Sequence, residues 1–109
     1  MNLLDQKCVP CEGGMEPMTK GDAESMIIYH VKDWILSADA KHISKKFEFK
    51  DFAEALDFIN KVGTIAESEG HHPNIHLTDY KFVTIDLSTH AIGGLSQNDF
   101  IVAAKINHI

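Results

Sequence analysis

The chain has 109 residues, 44% of them hydrophobic and 8% aromatic, which is enough for one compact domain with a single core and too few for two. Ten lysines stand against sixteen acids with no arginine, and the net charge of -6 argues against a nucleic-acid surface or a phosphate-dominated substrate, both of which need a basic face. Seven histidines are the compositional excess to interrogate, because imidazole has the ordinary pKa, about 6.5, that lies nearest working pH.

Residues 1–5 lack the basic and apolar regions of a secretory signal, and no apolar run approaches the roughly 20 residues that span a bilayer. A soluble, intracellular protein is expected, cytoplasmic or alternatively organellar. Pro10, Gly13, Gly14 and Pro17 make residues 1–18 too rich in turn formers for a regular element, so this stretch reads as an N-terminal arm and residues 19–109 as a single domain. Cys8 and Cys11 form a C-x-x-C, but the second pair of a four-ligand zinc site is absent and no β-α-β pattern surrounds it. Anchoring of the arm by small apolar side chains is the reading that fits.

Thr19 or Asp22 caps a first helix that aligns Ala23, Met26, Ile27 and His30 on one face. Two strands follow, at residues 34–36 and 43–49, the second alternating Ile43, Lys45, Phe47 and Phe49 against Ser44, Lys46 and Glu48, with a hairpin turn at Asp39-Ala40-Lys41 between them. Asp51 or its neighbour caps a long helix in which Phe52, Ala55, Leu56, Ile59, Val62, Gly63 and Ala66 recur at helical steps. Gly63 on that face predicts a close backbone approach, and Gly70 followed by Pro73 stops the helix. Ile75 and Leu77 alternate with Asn74 and His76, residues 78–81 turn the chain, and residues 82–88 return it as a second hairpin. After Gly93-Gly94, Ser96 at the N-cap and Asp99 three residues on approach a capping box for a final, largely apolar helix.

The order helix, strand, strand, helix, strand, strand, helix predicts an α+β fold, with a mostly antiparallel sheet of about four strands burying one face under the helices. An apolar Trp34 or Phe82 on the helix-free side would make a dimer surface.

Proton-transferring residues concentrate at His71-His72-Pro73, where the long helix ends, and at Ser88-Thr89-His90, where the second hairpin ends. The plain alternative has His71 capping the helix carboxyl end, where the dipole favours an imidazolium, and His72 on the surface before proline. Against it, the hairpin topology can bring His90 to the first two rings. A metal site is disfavoured because His72 and His76 share a face only in a helix, whereas Ile75 and Leu77 alternate as in a strand. Ser88 and Thr89 lie beside His90 without the glycine pattern of a nucleophile elbow.

Taken together, Glu67, His71-His72-Pro73, Tyr80, Ser88-Thr89-His90, Gly94-Leu95-Ser96 and Asp99 closely resemble the signature of the pterin-4a-carbinolamine dehydratases over residues 19–109. The arm, Lys7-Cys8-Val9-Pro10-Cys11-Glu12-Gly13-Gly14, resembles the longer plant and bacterial type. The resemblance implies a four-stranded antiparallel sheet with three helices on one face, and homo-oligomers, dimers or tetramers. It implies a lyase that dehydrates a 4a-hydroxytetrahydropterin to the quinonoid dihydropterin and water, with no metal or organic cofactor. His71 and His90 would then be the acid–base pair, with donor and acceptor left open, and His72 would bind and orient the pterin. Glu67, Pro73, Ile75, Thr89 and Asp99 would bind or orient, Glu67 acting on His71 from one helical turn away. Animal members carry an acid before the paired histidines and a tryptophan two residues after their proline; Gly70 and Ile75 stand there in this chain, leaving an aliphatic wall in place of ring stacking. The alternative function is a scaffold without turnover, a dimerisation or assembly factor of the same fold.

Overall fold

Alternating side chains over residues 43–48 and 82–87 set two strands in antiparallel register, with Ile43 opposite Leu87, Lys45 opposite Ile85 and Phe47 opposite Val83. In a computed structural model describing residues 2–9 and 15–109, these are β2 (Ile43–Glu48) and β4 (Phe82–Leu87), the centre of a four-stranded sheet. β1 (Ile35–Leu36) pairs outside β2, and β3 (Asn74–Thr78) outside β4, giving the order β1-β2-β4-β3 with every pair antiparallel. Three helices, α1 (Lys20–His30), α2 (Phe52–Glu69) and α3 (Gln97–Asn107), complete the α-β-β-α-β-β-α order and the α+β class.

One face of the sheet carries Ile43, Val83, Ile85 and Leu87, all fully buried, with Ile75, Leu77 and Phe47 partly buried beside them. α3 is buried nearly all round from Phe100 to Ile106, which its apolar sequence requires. α2 contributes Ala55, Phe58, Val62 and Ala66 instead, a stripe at steps of three and four. Phe52 and Leu56, read as part of the inward face, are exposed, and Phe58 takes their place, its ring tilted against those of Phe47 and Phe49 with centroids 4.6 and 4.9 Å away. Gly63 makes no close approach: a methyl group there would meet nothing within 4 Å.

The opposite face presents Ser44, Lys46, Thr84 and Asp86, with the Phe82 ring under the Lys46 and Lys81 ammonium groups. Trp34 is not on that face. It is buried at the edge of the core, edge-on to Phe47, and its indole N–H donates to Asn107 Oδ1 at 3.0 Å.

Within the arm, residues 3–5 form one turn of 3-10 helix that buries Leu3 against α3. Further on, Met18 N–H donates to the Leu95 carbonyl, and a Cβ on Gly94 would lie 2.7 Å from Pro17, so this approach requires glycine. Cys11 lies outside the described residues. Among the described residues, no helix is long and apolar enough to cross a membrane.

Candidate active site

At the carboxyl end of α2 the backbone makes a Schellman turn. Gly70 is left-handed at φ 64°, its N–H reaches the Glu67 carbonyl, and the His71 N–H reaches back to Ala66. This turn releases Glu69, His71 and His72 at the rim of the sheet, beside the segment 88–91 that follows β4. A cleft of about 490 Å³ opens between them, lined by His71, His72, His90 and Thr89 and, from elsewhere in the chain, by Cys8, Val9, Glu69 and Asn98.

Asp99 stands behind the cleft. Its carboxylate is fully buried and is held by three donors: His71 Nε2–H at 2.6 Å, the Thr89 hydroxyl at 2.8 Å and the Ser96 backbone N–H at 3.0 Å. The last of these belongs to a capping box that starts α3, so the expected helix cap and the contact with an imidazole are two halves of one carboxylate's work. A buried charge is tolerated when its lone pairs are taken up in this way. Because a carboxylate only accepts, the proton on His71 is assigned to Nε2, and Nδ1 is the nitrogen left to exchange a proton with a ligand.

His72 is paired by Glu67, Nε2 to Oε1 at 2.6 Å, and both side chains are largely exposed, so screening leaves the pair little net strength. Glu67 therefore serves His72 and not His71, because the turn at Gly70 sends the two rings in different directions. His90, in a 3-10 turn over His90–Ile92, has an exposed ring with no hydrogen-bond partner among the described residues. Pro73 and Ile75 do not line the cleft; Ile75 faces inward against the core. Among the described residues no three His, Cys, Asp or Glu side chains are grouped to hold a metal ion.

The wall that sequence reasoning missed comes from the arm. Glu69 Oε1 accepts from the Cys8 N–H at 2.8 Å and Oε2 from Lys105 Nζ at 2.6 Å. Burial by itself would raise the Glu69 carboxyl, but the bonds from Lys105 and Cys8 outweigh it and hold its pKa below the ordinary 4.5. Burial, reinforced by the nearby Glu69 charge, pushes the Cys8 thiol up to about 12, so it stays protonated. Asn98 takes the Val9 N–H on Oδ1 at 3.0 Å and returns a bond from Nδ2 to the Val9 carbonyl at 2.6 Å. The sequence carries this wall only as the opposite charges of Glu69 and Lys105, 36 residues apart.

Fold and site define a class: a small α+β domain with adjacent imidazoles, each backed by a carboxylate, at one rim of an antiparallel sheet. Residues 16–109 match the family model described as pterin 4 alpha carbinolamine dehydratase. A Halorhodospira halophila protein is 46% identical over 98% of this chain and 96% of its own length, and its name places it in the same dehydratase family. Arabidopsis thaliana pterin-4-alpha-carbinolamine dehydratase 2, mitochondrial, is 43% identical over 99% of this chain and 59% of its own length. A crystal structure titled transcriptional coactivator/pterin dehydratase, from Brucella melitensis, superposes with a TM-score of 0.77 at 27% identity over 85% of this chain and 97% of that one. A pterin dehydratase-like protein identified as a RuBisCO assembly factor shares the fold at a TM-score of 0.60 and 23% identity, over 73% of this chain and 92% of its own. The chain belongs to the pterin-4-alpha-carbinolamine dehydratase family, a family of hydro-lyases.

Proposed function

We propose that this chain dehydrates a 4a-hydroxytetrahydropterin in pterin recycling, with imidazoles of the rim cleft as acid and base. The reaction breaks one C–O bond and one ring N–H bond: an acid protonates the departing hydroxyl, a base takes the nitrogen proton, and the products are quinonoid dihydropterin and water. The observation that carries the reading is the gathering of His71, His72 and His90 around one cleft of about 490 Å³, a volume suited to a bicyclic ligand. His71 and His90 are the acid–base pair in this reading. His71 works through Nδ1, since Asp99 occupies Nε2, while the solvent-exposed pairing of His72 with Glu67 suits a residue that grips and orients the ring. Thr89 positions His71 through Asp99. The protein acts as a homo-oligomer in the cytoplasm; the exposed Ile35, Phe52 and Leu56 are the apolar side chains such an assembly would cover.

The test is turnover of a freshly generated 4a-hydroxytetrahydropterin by the purified chain. His71→Ala and His90→Ala should each lower kcat by about 10²-fold or more while leaving the thermal melt cooperative. Rates near wild type in both variants would remove the imidazoles from the chemistry. Pterin binding without any turnover in the wild-type chain would favour a scaffold.

A further inference from the structure

The arm meets the cleft at two side chains from different helices, and one of them is a buried charge. Glu69 ends α2, where the helix dipole disfavours a carboxylate, and only 4% of its side chain is exposed. An ion so placed needs full pairing, which comes from Lys105 of α3 on one oxygen and the Cys8 N–H on the other. Asn98 grips the next residue as a strand would, taking the Val9 N–H and giving a bond to the Val9 carbonyl. The Cys8 thiol, kept neutral, lies 3.6 Å from the Asn98 carbonyl oxygen. Consecutive residues of the arm are thus fixed to α2 and α3 at the cleft, two residues before His71 in one case and one residue before Asp99 in the other.

What this holds in place is the Val9 side chain. It lines the cleft and is 62% exposed, an apolar surface presented to whatever enters. Ile75, two residues after Pro73, is turned into the core and is not part of the cleft lining. We infer that Cys8–Val9, latched by Glu69 and Asn98, is the apolar wall that contacts the flat face of the ligand, with Val9 the specificity-determining contact and Glu69 a positioning residue. This inference rests on the pterin reading above.

Substrate kinetics and amide hydrogen exchange on three full-length chains test it. Val9→Ser changes an exposed side chain and leaves both backbone bonds to Asn98, so folding is not at issue. It should raise KM, and the Kd of a non-reactive oxidised pterin, about 5- to 10-fold with kcat within about twofold of wild type. Glu69→Gln should raise KM in the same direction and speed exchange at the Cys8 and Val9 amides, while amides of β2 and β4 keep their protection. If the wild type turns over and both variants keep its KM and Kd, the arm is not the ligand wall, and the dehydratase reading stands. If the wild type neither binds nor converts a pterin, that reading falls and the inference falls with it. A Glu69→Gln chain with unchanged exchange at Cys8 and Val9 overturns the latch.

Discussion

Asp99 is the residue on which two functions converge, since one of its oxygens holds the His71 ring and the other starts α3. Replacing it by asparagine keeps the volume but turns an amide N–H toward one of three existing donors. We expect Asp99→Asn to lower kcat about tenfold or more, by freeing the His71 tautomer, and to cost about 0.5–2 kcal/mol in stability through the damaged cap. Steady-state rates and thermal melts of the same preparation read the two effects separately; a folded variant with full turnover would strip Asp99 of its positioning role. The spacing Ser96 to Asp99 was legible as a cap because capping is local. That the same carboxylate faces His71, 28 residues earlier, is not legible, because a sequence carries no record of which helix start abuts which helix end. Glu67 was assigned to the wrong ring for a related reason: a one-turn spacing aligns it with His71 only if the helix continues, and the left-handed residue at Gly70 ends it first.

At the scale of elements, the turn after α2 decides where three cleft-lining side chains, Glu69, His71 and His72, leave the backbone. Gly70 has room for a methyl group, so the cost of Gly70→Ala is conformational alone, about 1–2 kcal/mol for a left-handed alanine. A fall of roughly 4–10 °C in Tm is the expected reading for a domain of this size. A melt indistinguishable from wild type would mean that the turn is not needed to end the helix. Glycine before two histidines and a proline announced this stop plainly. The inward stripe of α2 was less legible, since Phe52 and Leu56 fit a helical period as well as Phe58 does. The sheet covers only one side of the helix, and the aromatic slot beside Phe47 and Phe49 selects Phe58.

Across the whole molecule, Glu69 ties the arm, α2 and α3 together, and its depressed pKa makes that tie dependent on pH. A carboxylate with a lowered folded pKa adds stability that is fully present above its unfolded value, ordinarily 4.5, and is lost as pH falls through the folded value. The Tm gap between wild type and Glu69→Gln should therefore be widest near neutral pH and should narrow in the acid range below that value. Thermal melts of both chains from neutral to acid pH make the comparison, and a gap that stays constant would show that Glu69 is not the linked group.

Element order and the capping of all three helices were legible without a structure, because periodicity, caps and turns are encoded within a few neighbouring residues. Which carboxylate backs which imidazole, and the place of residues 8 and 9 along the cleft, emerge only once the chain is folded. The arm contacts join positions 61 and 89 residues apart and the Asp99–His71 contact positions 28 apart, and chain closure over such distances is settled by the packing of the whole core, which no local pattern records.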